Sequence, residues 1–203
     1  MGVSIIMPYN KKKMYVYIQN VIDKVNKAMY EKVAELDAVA WITKEPIPFH
    51  ERCNGKKKQV HIGETWGQLW DCGWFNFTGE VPKTQKGQKI VLLIDVNGEG
   101  CVFDKEGCPI RGLTNISSSF DFSLGKPGKK VVQFLENAEG GEKIDIWIET
   151  GCNDLFGRYS KEGTLEEACV AVCNQEMRAL YYDFQVLYEL MSQLPDSESR
   201  HMS

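Results

Sequence analysis

The sequence predicts a mostly β fold, an antiparallel β-sandwich with a long amphipathic helix at each end of the chain. Three observations predict it. Between Val60 and Thr150 the apolar residues recur with a period of two. Glycine-bearing turns break that stretch into short runs with no helical pattern between them, which favours antiparallel pairing over parallel βαβ units. Near both ends the apolar spacing changes to three and four, the signature of a helix with about 3.6 residues per turn.

The elements follow in order. From Lys11 to about Ala40 there is no proline or glycine, and Met14, Tyr17, Ile18, Val21, Ile22, Val25, Ala28, Met29, Val33, Leu36 and Val39 make an apolar stripe. Lys24, Lys27, Glu31, Lys32, Glu35 and Asp37 occupy the other face. Pro46 and Pro48 stop any continuation, because proline has no amide donor and restrains its predecessor. This places a helical segment at 1–45, a β-sandwich domain at 46–160, a C-terminal helix at 161–195 and a polar tail at 196–203.

Within the sandwich a basic patch, Lys56–Lys58, leads into a strand-like run from Trp70 to Val81. There Phe75 and Phe77 alternate with Trp74, Asn76 and Thr78, which leaves open which set faces the core. Lys89–Val96 is apolar almost throughout and reads as a strand buried on both faces. Gly98–Phe103, Ser119–Leu124 and Lys130–Leu135 are further short strands, and Ile144, Ile146 and Ile148 mark another with one buried face. Turns fall at 83–87, 104–107, 125–129 and 138–142, each with a glycine where positive φ costs little. Thr164 and Glu167 have the spacing of a capping box. Leu165, Cys169, Val172, Cys173, Met177, Leu180, Phe184, Leu187 and Met191 then form the second stripe. The simplest packing sets one helix on the other; a stripe without a partner would mark an interface to another domain or subunit.

Composition narrows the partners. A formal charge of −4 over 203 residues, with pI near 5.5, gives no basic footprint for nucleic acid. No run approaches the ~18 apolar residues that would span a bilayer. The start, MGVSIIMPYNKKK, sets apolar residues before basic ones, the reverse of a secretory signal. Seven cysteines without a CxxC pair indicate a reducing, cytoplasmic setting and neither a zinc knuckle nor a redox dithiol. Sequons begin at Asn76 and Asn115, and carry no sugar in the cytosol.

Candidate chemistry is sparse. His50, His61 and His201 are isolated from one another, and ordinary surface use outweighs a catalytic or metal role for each. Cys169 and Cys173, one helical turn apart on the expected helix, suit a core. Asp95, Glu99, Asp104 and Glu106 cluster about a turn without the spacing of a calcium loop. No phosphate-cradling glycine motif is present. Neither a catalytic residue nor a metal ligand is therefore assigned. Trp66, Trp70, Trp74 and Trp147 are candidates for carbohydrate contact, since indole faces pack well on sugar faces; core packing is the competing use.

Three stretches taken together are more specific. WGQLWDCGWFNFTGEVP (66–82), KIVLLIDVNGEGCVFDKEGCPIRG (89–112) and ETGCNDLFG (149–157) resemble, in that order, the N-terminal region of family 38 α-mannosidases of the cytoplasmic and bacterial kind. The resemblance implies a jelly-roll, galactose-binding-like domain after a helical lead, with Gly98, Glu99, Gly100, Asn153, Phe156 and Gly157 as its scaffold motif. Asp154 stands where the family has glycine, a substitution that left-handed geometry tolerates better than most. The family's nucleophile and its zinc or similar divalent ion belong to a following catalytic domain near a His-x-Asp-x-x-Trp motif, which this sequence lacks.

The resemblance thus implies a non-catalytic accessory domain of an enzyme that hydrolyses terminal α-D-mannosides with retention, cut before its catalytic domain. Its partners would be that catalytic domain, a further copy of itself, or a mannose-containing glycan. An autonomous carbohydrate-binding module and a helix-mediated interaction protein are the alternatives.

Overall fold

In the computed structural model, residues 11–114, 129–153 and 162–193 are described. The expected strand at Ser119–Leu124, the turn at 125–129 save its last residue, Asn115, Asp154, Phe156, Gly157, His201 and the polar tail lie outside them. The chain forms two compact units, residues 1–31 with 173–203, and residues 32–172.

The first unit is a pair of helices, α1 (Lys11–Ala28) and α2 (Gln175–Gln193). Ile22, Met29 and Tyr181 form its buried centre, with Ile18, Val25, Tyr30, Met177, Phe184 and Tyr188 packed around them. Tyr15 meets Tyr188 edge-on, with ring centroids 6.1 Å apart. The inward stripe of α2 is Met177, Tyr181, Phe184, Tyr188 and Met191, at spacings of four and three. Leu180 and Leu187, expected on that stripe, are exposed.

Asn174 starts α2: its Oδ1 accepts the Met177 amide at 3.1 Å, and Glu176 complements the helix dipole in the first turn. The capping box expected at Thr164 and Glu167 does not form, because both residues lie in strands. The C-terminal helix is therefore shorter than its apolar spacing suggested. The stretch from Glu167 to Cys173 is buried along nearly its whole length, which suits an interior strand better than a half-exposed helix.

The second unit holds two sheets and a small ribbon. Strands β1 (Tyr30–Glu35), β12 (Glu167–Cys173), β6 (Ile90–Asp95) and β9 (Val131–Leu135) lie side by side in that order. The larger sheet runs β3 (Lys56–Val60), β2 (Asp37–Thr43), β5 (Cys72–Glu80), β10 (Lys143–Gly151), β7 (Glu99–Phe103) and β8 (Pro109–Leu113). Strands β11 (Glu162–Thr164) and β4 (Thr65–Gln68) form the ribbon.

The helix expected to reach Ala40 ends at Ala28, and β1 and β2 occupy the rest. Met29, Leu36 and Val39 fit a helical spacing by coincidence. Buried Ala38 and Ala40 alternate with the more exposed Asp37 and Val39, and pairing of β2 with β5 and β3 overrides the local pattern.

The apolar alternation in the middle of the chain holds. Phe75 and Phe77 are fully buried and stack at 5.6 Å, side by side in the core with Ala38, Ala40, Ile144 and Ile148 of the neighbouring strands. Strand β6 is buried on both faces, as its continuous apolar run predicts. The glycines at 87, 107, 140 and 141 all take positive φ, which accounts for three of the expected turns. This is the largely β, sandwich-like core with one helix from each end of the chain that the apolar periods imply.

Candidate functional site

The three sequence stretches that carry the family resemblance meet at one end of the sandwich. Trp66 of β4 is buried, donates its indole Nε1–H to Val96 O at 2.8 Å and stands edge-on to Phe75 at 5.3 Å. Its ring lies so close to Gly163 that an added Cβ would approach within 2.6 Å, so β11 needs glycine there. The NGEG turn closes against the end of β10, where Glu99 pairs with Gly151 and Gly100 with Thr150. A Cβ on Gly98 would come within 2.4 Å of Gly151 O. Thr150 Oγ1 donates to Glu99 O at 2.8 Å, and Asn153 Nδ2 reaches the Glu99 carboxylate at 3.5 Å. Gly98, Glu99, Gly100 and Asn153 therefore act together as a clamp joining β7 to β10.

Tryptophans and cations form a closed stack on the outer face of the larger sheet. Trp41 and Trp147 lie 5.2 Å apart. The Arg52 guanidinium sits 4.0 Å from the Phe49 ring centroid and 4.4 Å from that of Trp147. Its Nε is buried with no hydrogen-bond partner, and the aromatic faces supply its electrostatic compensation. Trp74 is covered by Phe49 and Phe103 and donates its Nε1–H to Ile47 O at 2.9 Å. Trp74, on the side of β5 opposite the core, is thus covered by the segment that carries Phe49.

Trp70 differs from these. Its side chain is 59% exposed, and its φ of 70° lies in the left-handed region, which costs a bulky residue about 1–2 kcal/mol. Neighbouring hydrogen bonds hold it there. Trp70 N donates to Cys152 O at 3.0 Å and Cys152 N donates to Asp71 O at 2.8 Å. Asp71 N donates to Gln68 O, and Asp71 Oδ2 accepts the Gln68 amide, each at 2.9 Å.

Beside this turn opens a cleft of about 470 Å³, whose lining includes Ile42, Trp66, Lys44, Lys56, Lys58 and Asp71. The volume lies within the usual range for small-molecule sites. Asp71 is buried, and its Oδ1 accepts from Lys44 Nζ at 2.5 Å. Burial alone would raise its pKa, but the Lys44 ammonium and the Gln68 amide outweigh burial and hold the carboxyl below its ordinary value. Lys58 donates to Thr65 O. Glu162, on β11, accepts from Thr65 Oγ1 at 3.1 Å.

Nothing in the sequence singled out Lys44, Gln68 or Asp71. The Lys56–Lys58 patch was visible, but the strand that turns Lys56 and Lys58 to one side was not.

The remaining candidates are dispersed. His50 is exposed beside Glu51, and His61 is exposed just past β3. Asp95 accepts from the Asn97 amide at 2.9 Å and pairs with Lys130, while Asp104 accepts from Cys108 N at 2.7 Å. Cys169 and Cys173 are core residues, though on a strand; burial, with Glu167 nearby, pushes the Cys169 thiol up to about 11. Among the described residues no three His, Cys, Asp or Glu side chains converge as a metal site.

Comparison with known proteins agrees with this arrangement. The family described as "Alpha-mannosidase, jelly roll domain" matches residues 33–190. Alpha-mannosidase G of Dictyostelium discoideum is 28% identical over 167 residues, which cover 77% of this chain and 14% of the relative. Alpha-mannosidase 2C1 of Homo sapiens is 24% identical, and that of Mus musculus 23%, over 174 residues. Those alignments cover 79% of this chain and 16% of each relative, so the chain spans a small part of the curated relatives it matches. With its three ordered motifs and all but the start of its first strand inside the matched residues, this chain belongs to the α-mannosidase jelly-roll domain family and matches the N-terminal region of family 38 enzymes.

Proposed function

We propose that this chain is a non-catalytic accessory domain of an α-mannosidase whose full-length form hydrolyses terminal α-D-mannosides with retention. The supporting observation is that the family match falls on a jelly-roll scaffold whose ordered motifs, where described, join strands. Among the described residues no convergent set of donors fits the divalent metal of the family. The domain's role is to pack against a catalytic domain. The apolar positions that α2 exposes, Val186, Leu187 and Leu190, are the surface assigned to that domain or to a second copy. Seven cysteines with no CxxC pair among them support a reducing, cytoplasmic setting.

A chromogenic α-mannoside assay of the purified chain, with zinc and with cobalt, tests this proposal. The expected result is no turnover above the buffer rate. Robust turnover that a chelator abolishes would contradict it.

One observation favours an added role. Trp70 is held open in a strained conformation, and an exposed indole face is a surface on which a sugar ring can pack. Of the four tryptophans considered from the sequence, Trp70 is the one to which we assign that contact. Titration with mannose and manno-oligosaccharides, followed by tryptophan fluorescence, checks it. A saturable change lost in Trp70→Ala is expected, and no response up to millimolar sugar would count against it.

A further inference from the structure

We propose that the helix pair docks on a second copy of this chain, with α1 of each copy lying along α2 of the other in a symmetric four-helix bundle. The inference deepens the accessory-domain reading, in which the exposed face of α2 is an interface, by naming its occupant.

The two helices run antiparallel. Asn174 N donates to Met29 O at 2.9 Å, where α1 has just ended and α2 begins. Ile22 and Tyr181 meet in the buried centre, and Tyr15 meets Tyr188 beyond them. In each helix the residue before an inward one is turned about 100° away from the seam. In an antiparallel pair these preceding residues fall on the same side of both helices, because the sense of rotation and the chain direction reverse together. On α1 they are Tyr17, Val21, Lys24 and Ala28, ahead of the inward Ile18, Ile22, Val25 and Met29. On α2 they are Glu176, Leu180, Asp183, Leu187 and Leu190. Val21 is half-buried and the others are exposed. The pair therefore carries a second, mainly apolar stripe on one side, the kind of surface that closes a bundle.

Charge selects the occupant and its orientation. Helix α1 has five lysines and one aspartate, and α2 three acids and one arginine. At the stripe positions the charged residues are Lys24 on α1, and Glu176 and Asp183 on α2. Among the described residues none of these three is held in an ion pair. The stripe is thus complementary to itself. A two-fold axis parallel to the helices sets α1 over α2 of the second copy, antiparallel to it, and every contact occurs twice. Lys24 then stands level with the turn of α2 between Glu176 and Asp183 of the second copy, within side-chain reach of both. Tyr17 stands level with Leu187 of that copy. A two-fold axis across the helices would instead set the basic α1 on α1 and the acidic α2 on α2, which like charges oppose.

The test is sedimentation velocity of the whole chain over a concentration series, with a reductant present so that the exposed Cys53 and Cys108 form no cross-links. A reversible monomer–dimer equilibrium is expected, with a dissociation constant of about 1–50 µM for so small an interface. Leu187→Gln removes apolar contact twice per dimer and should weaken association about tenfold or more. Lys24→Glu should weaken it about fivefold, and adding Asp183→Lys to that variant should restore it. Val16→Gln alters an exposed apolar residue away from the stripe and should change nothing. Circular dichroism of each variant reports retention of the helices.

A monomer alone, up to about 100 µM, would overturn the proposal and leave the accessory-domain reading standing. A dimer unaffected by Leu187→Gln, or weakened as much by Val16→Gln, would place the contact elsewhere and overturn it too. Failure of the charge swap to restore association would overturn the α1-on-α2 arrangement. Mannosidase turnover by the chain would contradict the accessory-domain reading without bearing on the dimer.

Discussion

The outer face of the larger sheet and the end of the sandwich beside Trp70 use the same residue types to opposite effect. On the outer face Trp41, Trp74, Trp147, Phe49 and Arg52 cover one another, and the Trp74 indole and the guanidinium are both spent on internal contacts. At the sandwich end Trp70 is open and strained, beside a cleft where Lys44 pairs with Asp71 and Lys58 donates to Thr65 O. Tryptophan beside a cation is therefore not a binding signal in itself. The distinction lies in whether the chain has already supplied the partner.

Stability measurements can break or sharpen that contrast. The largest effect is expected from Trp74→Ala, which empties a buried aromatic site and strands the Ile47 carbonyl. Urea unfolding should show a loss of about 3–5 kcal/mol. A loss near zero would mean that the outer stack is ornamental.

Asp71 gives an intermediate effect with a defined pH dependence. Its carboxyl is held below the ordinary value in the folded chain, so the unfolded chain takes up that proton first as pH falls. The stability it contributes is complete above the unfolded pKa of about 4 and is lost as pH drops through the folded value. Asp71→Asn should cost about 1–2 kcal/mol at pH 7, and the difference from the wild type should shrink on acidification below about pH 4. A constant difference across that window would show that the Lys44 pair is not what sets the effect.

The smallest effect is expected from Trp70→Gly. Glycine accepts the left-handed conformation, so folding should be unharmed or stabilised by up to about 1 kcal/mol. Greater stability with loss of the sugar response would set function against folding at a single residue.

These contrasts also explain what the sequence could and could not reveal. Strands β5, β6 and β10 were legible because burial on one face or both writes itself into a period of two or an unbroken apolar run. The end of α1 was not, because Met29, Leu36 and Val39 fall at helical spacing although sheet pairing governs that stretch. The true start of α2 was missed for a related reason. Thr164 and Glu167 have capping-box spacing, whereas Asn174 lacks the glutamate that would complete such a box.

The roles of the tryptophans were beyond local pattern altogether. Alternation puts Trp74 opposite Phe75, but only the return of Phe49 and Phe103 from elsewhere in the chain covers it. Trp70 is set apart by a backbone angle that its neighbours in sequence do not announce. The cleft joins Lys44, Lys56 and Asp71 from three separate stretches, and no spacing rule links them.

The difference between covered and open tryptophans can be measured without any ligand, by hydrogen exchange of the indole N–H groups in an NMR spectrum. The account predicts strong protection for Trp66 and Trp74, whose indoles donate to Val96 O and Ile47 O, and exchange near the solvent rate for Trp70. A protected Trp70, or free exchange at Trp66 and Trp74, would contradict it.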